Sequence, residues 1–312
     1  MARWLITGGA GFIGANLAHA LVGRGEAVRI LDDFSTGRLR NLAGIEAQVE
    51  LVRGDLREPA AVAQAVAGVE IVLHQAALNS NPRSIQEPGL THAVNVTGTL
   101  HLLEAARAAG VRRLVYASSS SVYGDTPGLP KTEDLPLAPK APYGVAKLAA
   151  ELYCRVFTQV YGFETVSLRY FNVFGPRQLP DSEYAAVIPR MLRRMLRGER
   201  PVIFGDGTQS RDFTPVQNVV AANLLAATAP AAAGAVCNIA GGQAATLTQL
   251  VQWLNEGLGT SLAPEYAPPR PVDILHSYAA IQRAERLLGY TPAVTVPEGL
   301  RQTIAWFRER EC

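Results

Sequence analysis

Along the first half of the chain, short unbroken apolar runs alternate with longer stretches whose apolar residues recur at helical spacing. The runs Arg3–Thr7, Ala27–Asp32, Gln48–Arg53, Ile71–Gln75 and Arg113–Ser118 have the length and continuity of strands buried on both faces. Between them, the stretches around Phe12–Gly23, Glu58–Val66, Asn95–Ala109 and Tyr143–Tyr161 read as helices. Strand–helix alternation of this kind predicts right-handed crossovers and a doubly wound parallel sheet, an α/β fold. Thr165–Tyr170 is the next expected strand. Beyond it prolines and glycines become frequent, and the readable elements are helices around Thr246–Gly257 and Pro297–Glu309 and a short one inside Asp273–Gly289. Ala226–Ala235 reads as a helix end and its turn. The expected division is residues 1–172 in the sheet domain, with later segments returning to it, and 173–312 mainly in a smaller C-terminal α/β lobe that binds substrate.

Composition narrows the classes. The chain has 312 residues, 48% hydrophobic and 18% charged, which excludes a disordered chain. A net charge of +2 gives no footprint for nucleic acid or an anionic membrane. Trp4–Ala20 lacks charge over nearly the length of a membrane span, but Gly8, Gly9, Gly11 and Gly14 interrupt it, so it reads as strand, turn and helix. Three scattered cysteines (Cys154, Cys237, Cys312) form neither a disulfide framework nor a metal cluster; a cytoplasmic location and no metal are expected.

Candidate chemistry begins at Thr7–Gly14, where glycines at GxxGxxG spacing follow a strand and open a helix. Gly8 allows a tight turn, Gly11 lets backbone approach a pyrophosphate, and Gly14 lets the helix pack close to the strand. The helix N-terminus then offers unpaired N–H groups to the phosphates. Asp32 ends the second strand where an acid would take the adenosine ribose hydroxyls, and it would repel a 2′-phosphate, which favours NAD over NADP. Arg38 and Arg40 follow nearby and read as a solvated loop. Asp55, after the third strand, reads either as an adenine contact or as an N-cap for the next helix. Tyr143 and Lys147 stand four residues apart, on one face of a helix, and only three lysines occur in the chain. An ammonium beside the phenol is expected to lower its pKa toward a usable proton acceptor. Ser118–Ser121 end the fifth strand, at the carboxyl edge where ligands of such sheets bind.

These residues carry a resemblance. The chain resembles an extended short-chain dehydrogenase/reductase, specifically a nucleotide-sugar 4-epimerase, over essentially its whole length. The stretches that carry it are Thr7–Gly14, His74–Ala77, Asn95–Thr99, Ser118–Gly124, Tyr143–Lys147, Arg169–Gln178, Phe204–Gly207, Ser210–Phe213 and Arg270–Asp273. Tyr184–Pro189 resembles the bacterial UDP-N-acetylglucosamine 4-epimerase branch. The resemblance implies a Rossmann-like NAD-binding domain and a nucleotide-sugar-binding lobe. Gly8, Gly11, Phe12, Ile13, Gly14 and Asp32 would hold a tightly bound NAD, Asp55 and Leu56 would flank the adenine, and Ala76, Ala77 and Asn95 would line the dinucleotide channel. Tyr143 would be the base, Lys147 its partner and ribose ligand, and Ser119 the hydroxyl on the sugar O4.

For the UDP-sugar, the resemblance implies Asn172 on a diphosphate or sugar oxygen, Phe204 on the uracil face, Arg211 and Arg270 as diphosphate clamps and Asp273 on the uridine ribose. Related dehydratases carry an Asp-Glu pair where this chain has Ser120 and Ser121, and related decarboxylases carry a Glu at Ser121. Inversion at C4 is therefore the implied outcome, with UDP-glucuronate left open as a substrate. The position that bounds the hexose 2-substituent is Ser277, which leaves room for an N-acetyl group or else caps a helix over Ala279–Leu288. UDP-GlcNAc/UDP-GalNAc are expected, with UDP-Glc/UDP-Gal also accepted. Asn79 stands where the glucose/galactose branch often has a lysine. Family practice and the apolar patterning of Asn95–Ala109 and Tyr143–Tyr161 imply a homodimer. The competing readings are a non-catalytic NAD-binding regulator and a net oxidoreductase.

Overall fold

A computed structural model describes residues 3–178, 186–269 and 275–311. Its centre is a seven-stranded sheet. The strands are β1 (Arg3–Thr7), β2 (Ala27–Asp32), β3 (Val49–Arg53), β4 (Ile71–His74), β5 (Arg113–Ser119), β6 (Glu164–Tyr170) and β7 (Val236–Ile239). Their order across the sheet is β7-β6-β5-β4-β1-β2-β3, every pair parallel. The order reverses between β1 and β4, and ligands of such sheets bind outside the carboxyl ends of the strands at that crevice.

Alternation along each strand builds two cores, one per face. Trp4, Ile6, Ile30, Val115 and Ala117 pack on one side with the helix α1 (Phe12–Val22) and residues Val219, Ala222 and Ala226. Leu5, Leu31, Leu114 and Tyr116 pack on the other, against α2 (Pro59–Val66), α3 (Gly98–Ala108) and α4 (Pro142–Tyr161). Because both faces are covered, the strands read as continuous apolar runs. A third core, formed by residues such as Phe174, Met191, Leu192, Ile203, Phe213, Leu254 and Phe307, lies outside the sheet and organises the later part of the chain.

Ala226–Ala235 holds the end of the helix Val216–Thr228 and a turn, in line with the sequence, and leads into a seventh strand, β7; that helix covers the sheet. Two expectations change. Asn95–Ala109 is not one α-helix: Ala93–Thr97 forms a π-turn before α3. Ser277 lies in the short strand His276–Ser277, and the helix after it, Gln282–Leu288, is preceded by Ile281, so the helix-cap alternative for Ser277 falls.

Candidate active site

At the sheet's reversal, β1 turns through the glycine loop into α1. Gly8 adopts φ +66°, and a Cβ there would lie 2.8 Å from the Ala76 backbone. A Cβ on Gly14 would lie 2.2 Å from the Gly8 carbonyl oxygen, so only glycine lets α1 start this close to β1. Gly11 is the N-cap of α1 with no side-chain cap, and the first turn, containing Phe12 and Ile13, carries no acid. The helix end therefore keeps unpaired N–H donors and no competing negative charge, as a pyrophosphate requires. Asp32 is buried at the end of β2; its oxygens accept from Ala10 N–H and Phe34 N–H, both at 2.8 Å. Burial raises its pKa, and those two bonds work against that rise. Each carboxylate oxygen retains further acceptor capacity for ribose hydroxyls.

Asp55 is not the N-cap of α2, which is Glu58. Its carboxylate accepts from the backbone of Arg57 at 2.8 Å and pairs with the Arg57 guanidinium at 2.5 Å, which lowers its pKa. Leu56 is buried beside it. Ala76 and Ala77 are half-buried on the segment after β4. Asn95 is buried; its Oδ1 accepts from Leu78 N–H at 2.8 Å, and its Nδ2 donates to the Leu78 carbonyl at 3.2 Å. It thus fixes the segment that follows Ala77.

The catalytic candidates converge at the end of β5. Tyr143 sits in the first turn of α4 and Lys147 one turn later, both buried. Lys147 Nζ donates to the Ala117 carbonyl at 2.7 Å and lies 5.0 Å from the centre of the Tyr116 ring. Ser119 ends β5, its Oγ accepting from Ser121 N–H at 3.1 Å, and it lies close enough to Tyr143 to favour the phenolate. The expected depression of the Tyr143 pKa is not what this pocket produces. Burial pushes the phenol up to about 12, and the Ser119 bond only partly opposes that. Burial also brings Lys147 down to about 7. Removing water penalises a phenolate and an ammonium alike, so the phenol stays protonated and the lysine can gain or lose its proton near neutrality.

Two of the sugar-side candidates, Arg211 and Ser277, meet on a three-stranded patch of Ala245–Thr246, Ser210–Arg211 and His276–Ser277. Ser277 pairs with Arg211, bringing the proposed pocket boundary beside a proposed clamp. The Arg211 guanidinium donates to the carbonyls of Ser210 and Leu275 at 2.8 and 3.0 Å. Asn172 takes φ +34° and its Nδ2 donates to the Asp212 carbonyl at 3.1 Å. Phe204 ends the strand Val202–Phe204, half-buried. Arg270 and Asp273 lie outside the described residues, as do Tyr184 and Ala185. Among the described residues no group of His, Cys, Asp and Glu has the arrangement of a metal site.

The sequence reading missed Asp212. It is fully buried, and its carboxylate accepts from Gly241 N–H (2.8 Å), Gly242 N–H (3.1 Å) and Ala279 N–H (3.3 Å). Burial raises its pKa to about 7 against those bonds. It pins the loop after β7 to the segment that follows Ser277. It also missed Glu151, which recurs at the same four-residue step as Tyr143 and Lys147, a signal that was present.

Comparison with known proteins agrees with this geometry. Residues 4–240 match the NAD dependent epimerase/dehydratase family. A UDP-glucose 4-epimerase of Mycolicibacterium smegmatis is 38% identical over 99% of both chains. Among solved structures, a UDP-N-acetylglucosamine 4-epimerase from Methanobrevibacter ruminantium, in complex with UDP-N-acetylmuramic acid, superposes with TM-score 0.95 at 36% identity over 99% of each chain. A Thermus thermophilus UDP-glucose 4-epimerase in complex with NAD superposes with TM-score 0.88 at 36% identity, again over 99% of each chain. The chain belongs to the NAD-dependent epimerase/dehydratase family. Within that family the resemblance to nucleotide-sugar 4-epimerases, read from its motifs, holds over its full length.

Proposed function

We propose that this protein inverts C4 of UDP-hexoses, interconverting UDP-GlcNAc with UDP-GalNAc and also UDP-Glc with UDP-Gal, with NAD held tightly and regenerated in each turnover. The observation that carries the reading is the buried Tyr143–Ser119 pair at the carboxyl end of β5, beside a glycine loop and with serines at 120 and 121. Those serines supply no acid or base for a second elimination or decarboxylation step, so the chemistry stops at inversion.

The N–H groups at the start of α1, the Asp32 carboxylate and Lys147 would hold the dinucleotide. When bound there, NAD would supply a hydride acceptor and donor for C4 of the sugar. Tyr143 takes the proton of the 4-hydroxyl and gives it back, with Ser119 hydrogen-bonded to the same oxygen. Lys147 uses one donor on the Ala117 carbonyl and keeps two for the nicotinamide ribose and the phenol. A proton moving between Tyr143 and Lys147 leaves the pocket's net charge unchanged, which suits a site closed to water. Arg211, Arg270, Asp273, Asn172 and Phe204 would anchor UDP while the hexose turns over.

The test is to incubate the purified protein, without added NAD, with UDP-GlcNAc and separately with UDP-Glc, and to resolve the C4 epimers. Conversion of both is expected. Conversion only of UDP-glucuronate would replace the substrate assignment and keep the mechanism; no conversion of any UDP-sugar after NAD is supplied would overturn it. Ser277→Tyr should crowd the N-acetyl group and lower kcat/KM for UDP-GlcNAc by about 10–100-fold, leaving UDP-Glc within a few-fold. Equal losses on both substrates would refute the role of Ser277.

The proposal includes a homodimer and a reducing, cytoplasmic setting. Val145, Leu152, Val156 and Val160 form an exposed stripe along α4, with Val145 54% and Val160 65% exposed. A stripe that apolar fits the same helix of a second copy. Val156→Glu together with Val160→Glu should shift sedimentation from dimer to monomer. An unchanged sedimentation coefficient would reject this face. Cys154 and Cys237 are buried free thiols, which suits the reducing setting, and among the described residues no helix is long and apolar enough to cross a membrane.

A further inference from the structure

His74 ends β4 directly beneath the crevice, fully enclosed, and the proposed chemistry gives it no part. Its two ring nitrogens each meet one threonine: Nδ1 lies 2.7 Å from Thr7 Oγ1 and Nε2 lies 2.9 Å from Thr99 Oγ1. The neighbouring bonds settle which nitrogen carries hydrogen. The Thr99 hydroxyl donates to the Asn95 carbonyl at 2.8 Å, because that oxygen has no hydrogen to give. Thr99 Oγ1 therefore accepts from His74, and the hydrogen is on Nε2. Nδ1 is then the acceptor, and the Thr7 hydroxyl donates to it. Thr7 Oγ1 in turn accepts from Ala76 N–H at 3.2 Å.

The chain of bonds joins three of the stretches expected around the dinucleotide: the glycine loop, the segment after β4 and the segment of Asn95. Thr7 precedes Gly8, the turn residue of the glycine loop. Ala76 forms the wall that approaches Gly8 so closely that a Cβ would not fit. Asn95 lies in the π-turn and clamps Leu78 through both ends of its carboxamide. We propose that His74, as a neutral Nε2–H imidazole, is a positioning residue for NAD: it ties the glycine loop to the π-turn and so fixes the width of the dinucleotide channel. The inference rests on the NAD site proposed above. Burial first, and the charge of Lys147 second, hold the imidazole pKa down to about 3, which keeps the single tautomer intact. The ring also lies 5.5 Å from that of Tyr116, tilted by 40° to it, and Lys147 Nζ lies 5.0 Å from the same Tyr116 ring, so a charged imidazole would stand near the lysine ammonium. A π-turn between the helical segment Pro88–His92 and α3 accords with a local widening kept for a site.

The experiment compares the native chain with His74→Phe, His74→Gln and Thr99→Val. NAD retained after purification and its release rate are measured alongside the melting temperature of the NAD-free proteins and the KM for the UDP-sugar. The nitrogen-15 spectrum of the native imidazole is recorded from pH 5 to 8. The native spectrum should show hydrogen on Nε2 alone and no titration. His74→Phe and Thr99→Val should release NAD about tenfold faster or more, with the UDP-sugar KM within twofold, and His74→Gln should recover part of the loss. If His74→Phe does not fold, Thr99→Val and the native spectrum decide. Native-like NAD release in a folded variant, or a hydrogen on Nδ1, would overturn the inference. A native protein that neither holds nor takes up NAD would instead overturn the NAD site itself.

Discussion

Tyr143→Phe is expected to lower kcat for epimerisation by about 10²–10⁴-fold while leaving NAD content and substrate KM near native values. The substitution removes one oxygen, from a residue that is 7% exposed and lies close to Ser119. Packing of the ring is retained, so the loss falls on proton transfer and not on the fold. Ser119→Ala should cost less, because Tyr143 can still exchange the proton, while the substrate oxygen loses one hydrogen bond. The ordering matters as much as the size. In the resting protein burial keeps the phenol protonated, up to a pKa of about 12, and Lys147 is near 7. Passing the phenol proton to Lys147 makes Tyr143 the acceptor, and the reverse transfer makes it the donor again, which inversion requires because the proton leaves and returns. Resolution of C4 epimers after incubation with UDP-GlcNAc and UDP-Glc measures the effect. A Tyr143→Phe protein with native kcat would assign the proton to another group.

The strands of the first half were legible because both sheet faces are covered: Leu5 and Ile6 enter opposite cores, so their run shows no polar interruption. β7 was not legible. It has only four residues, follows an alanine-rich turn, and becomes a strand by pairing with Ser167–Tyr170, far away in sequence. The π-turn at Ala93–Thr97 was likewise invisible, since a widened turn keeps the apolar spacing of a helix. In the site, Tyr143 and Lys147 were legible because their relation is local, one turn of one helix. Asp32 was legible from the strand it ends. The partners that hold such groups were not, because they arrive from other segments. Gly241, Gly242 and Ala279 converge on Asp212, and Thr7 and Thr99 on His74, through bonds that no local spacing encodes. The phenol's pKa failed for a related reason: a helix wheel places the lysine, but the degree of enclosure decides which charge state survives.

Glu151→Ala is expected to destabilise the protein by about 3–5 kcal/mol, a larger effect than any truncation on the surface. Glu151 lies one turn beyond Lys147 on α4, and its side chain is 4% exposed, as is that of its partner Arg169 on β6. The pair is bidentate: Arg169 donates to the two carboxylate oxygens at 2.6 and 3.0 Å, and Ser118 Oγ donates to one of them at 2.6 Å. Arg169 also donates to the Tyr123 hydroxyl at 2.8 Å, which donates to Asn238 on β7 at 2.7 Å. Removing the carboxylate leaves a guanidinium enclosed without its counter-charge, and that isolated charge is the main cost. For a chain of this length the loss corresponds to a fall in Tm of roughly 5–8 °C. Replacing both partners by apolar residues of similar volume, Glu151→Leu with Arg169→Met, should recover most of it, since no charge is then stranded. Activity need not follow stability in that double variant. Ser118 is adjacent to Ser119, and Glu151 shares a helix face with Tyr143 and Lys147, so the ion pair sets how α4 registers against the end of β5. A double variant with recovered Tm and lowered kcat would show that this buried pair is held for geometry. Recovery of both would make it dispensable, and a Glu151→Ala protein that melts within 1–2 °C of native would contradict the burial of an uncompensated charge.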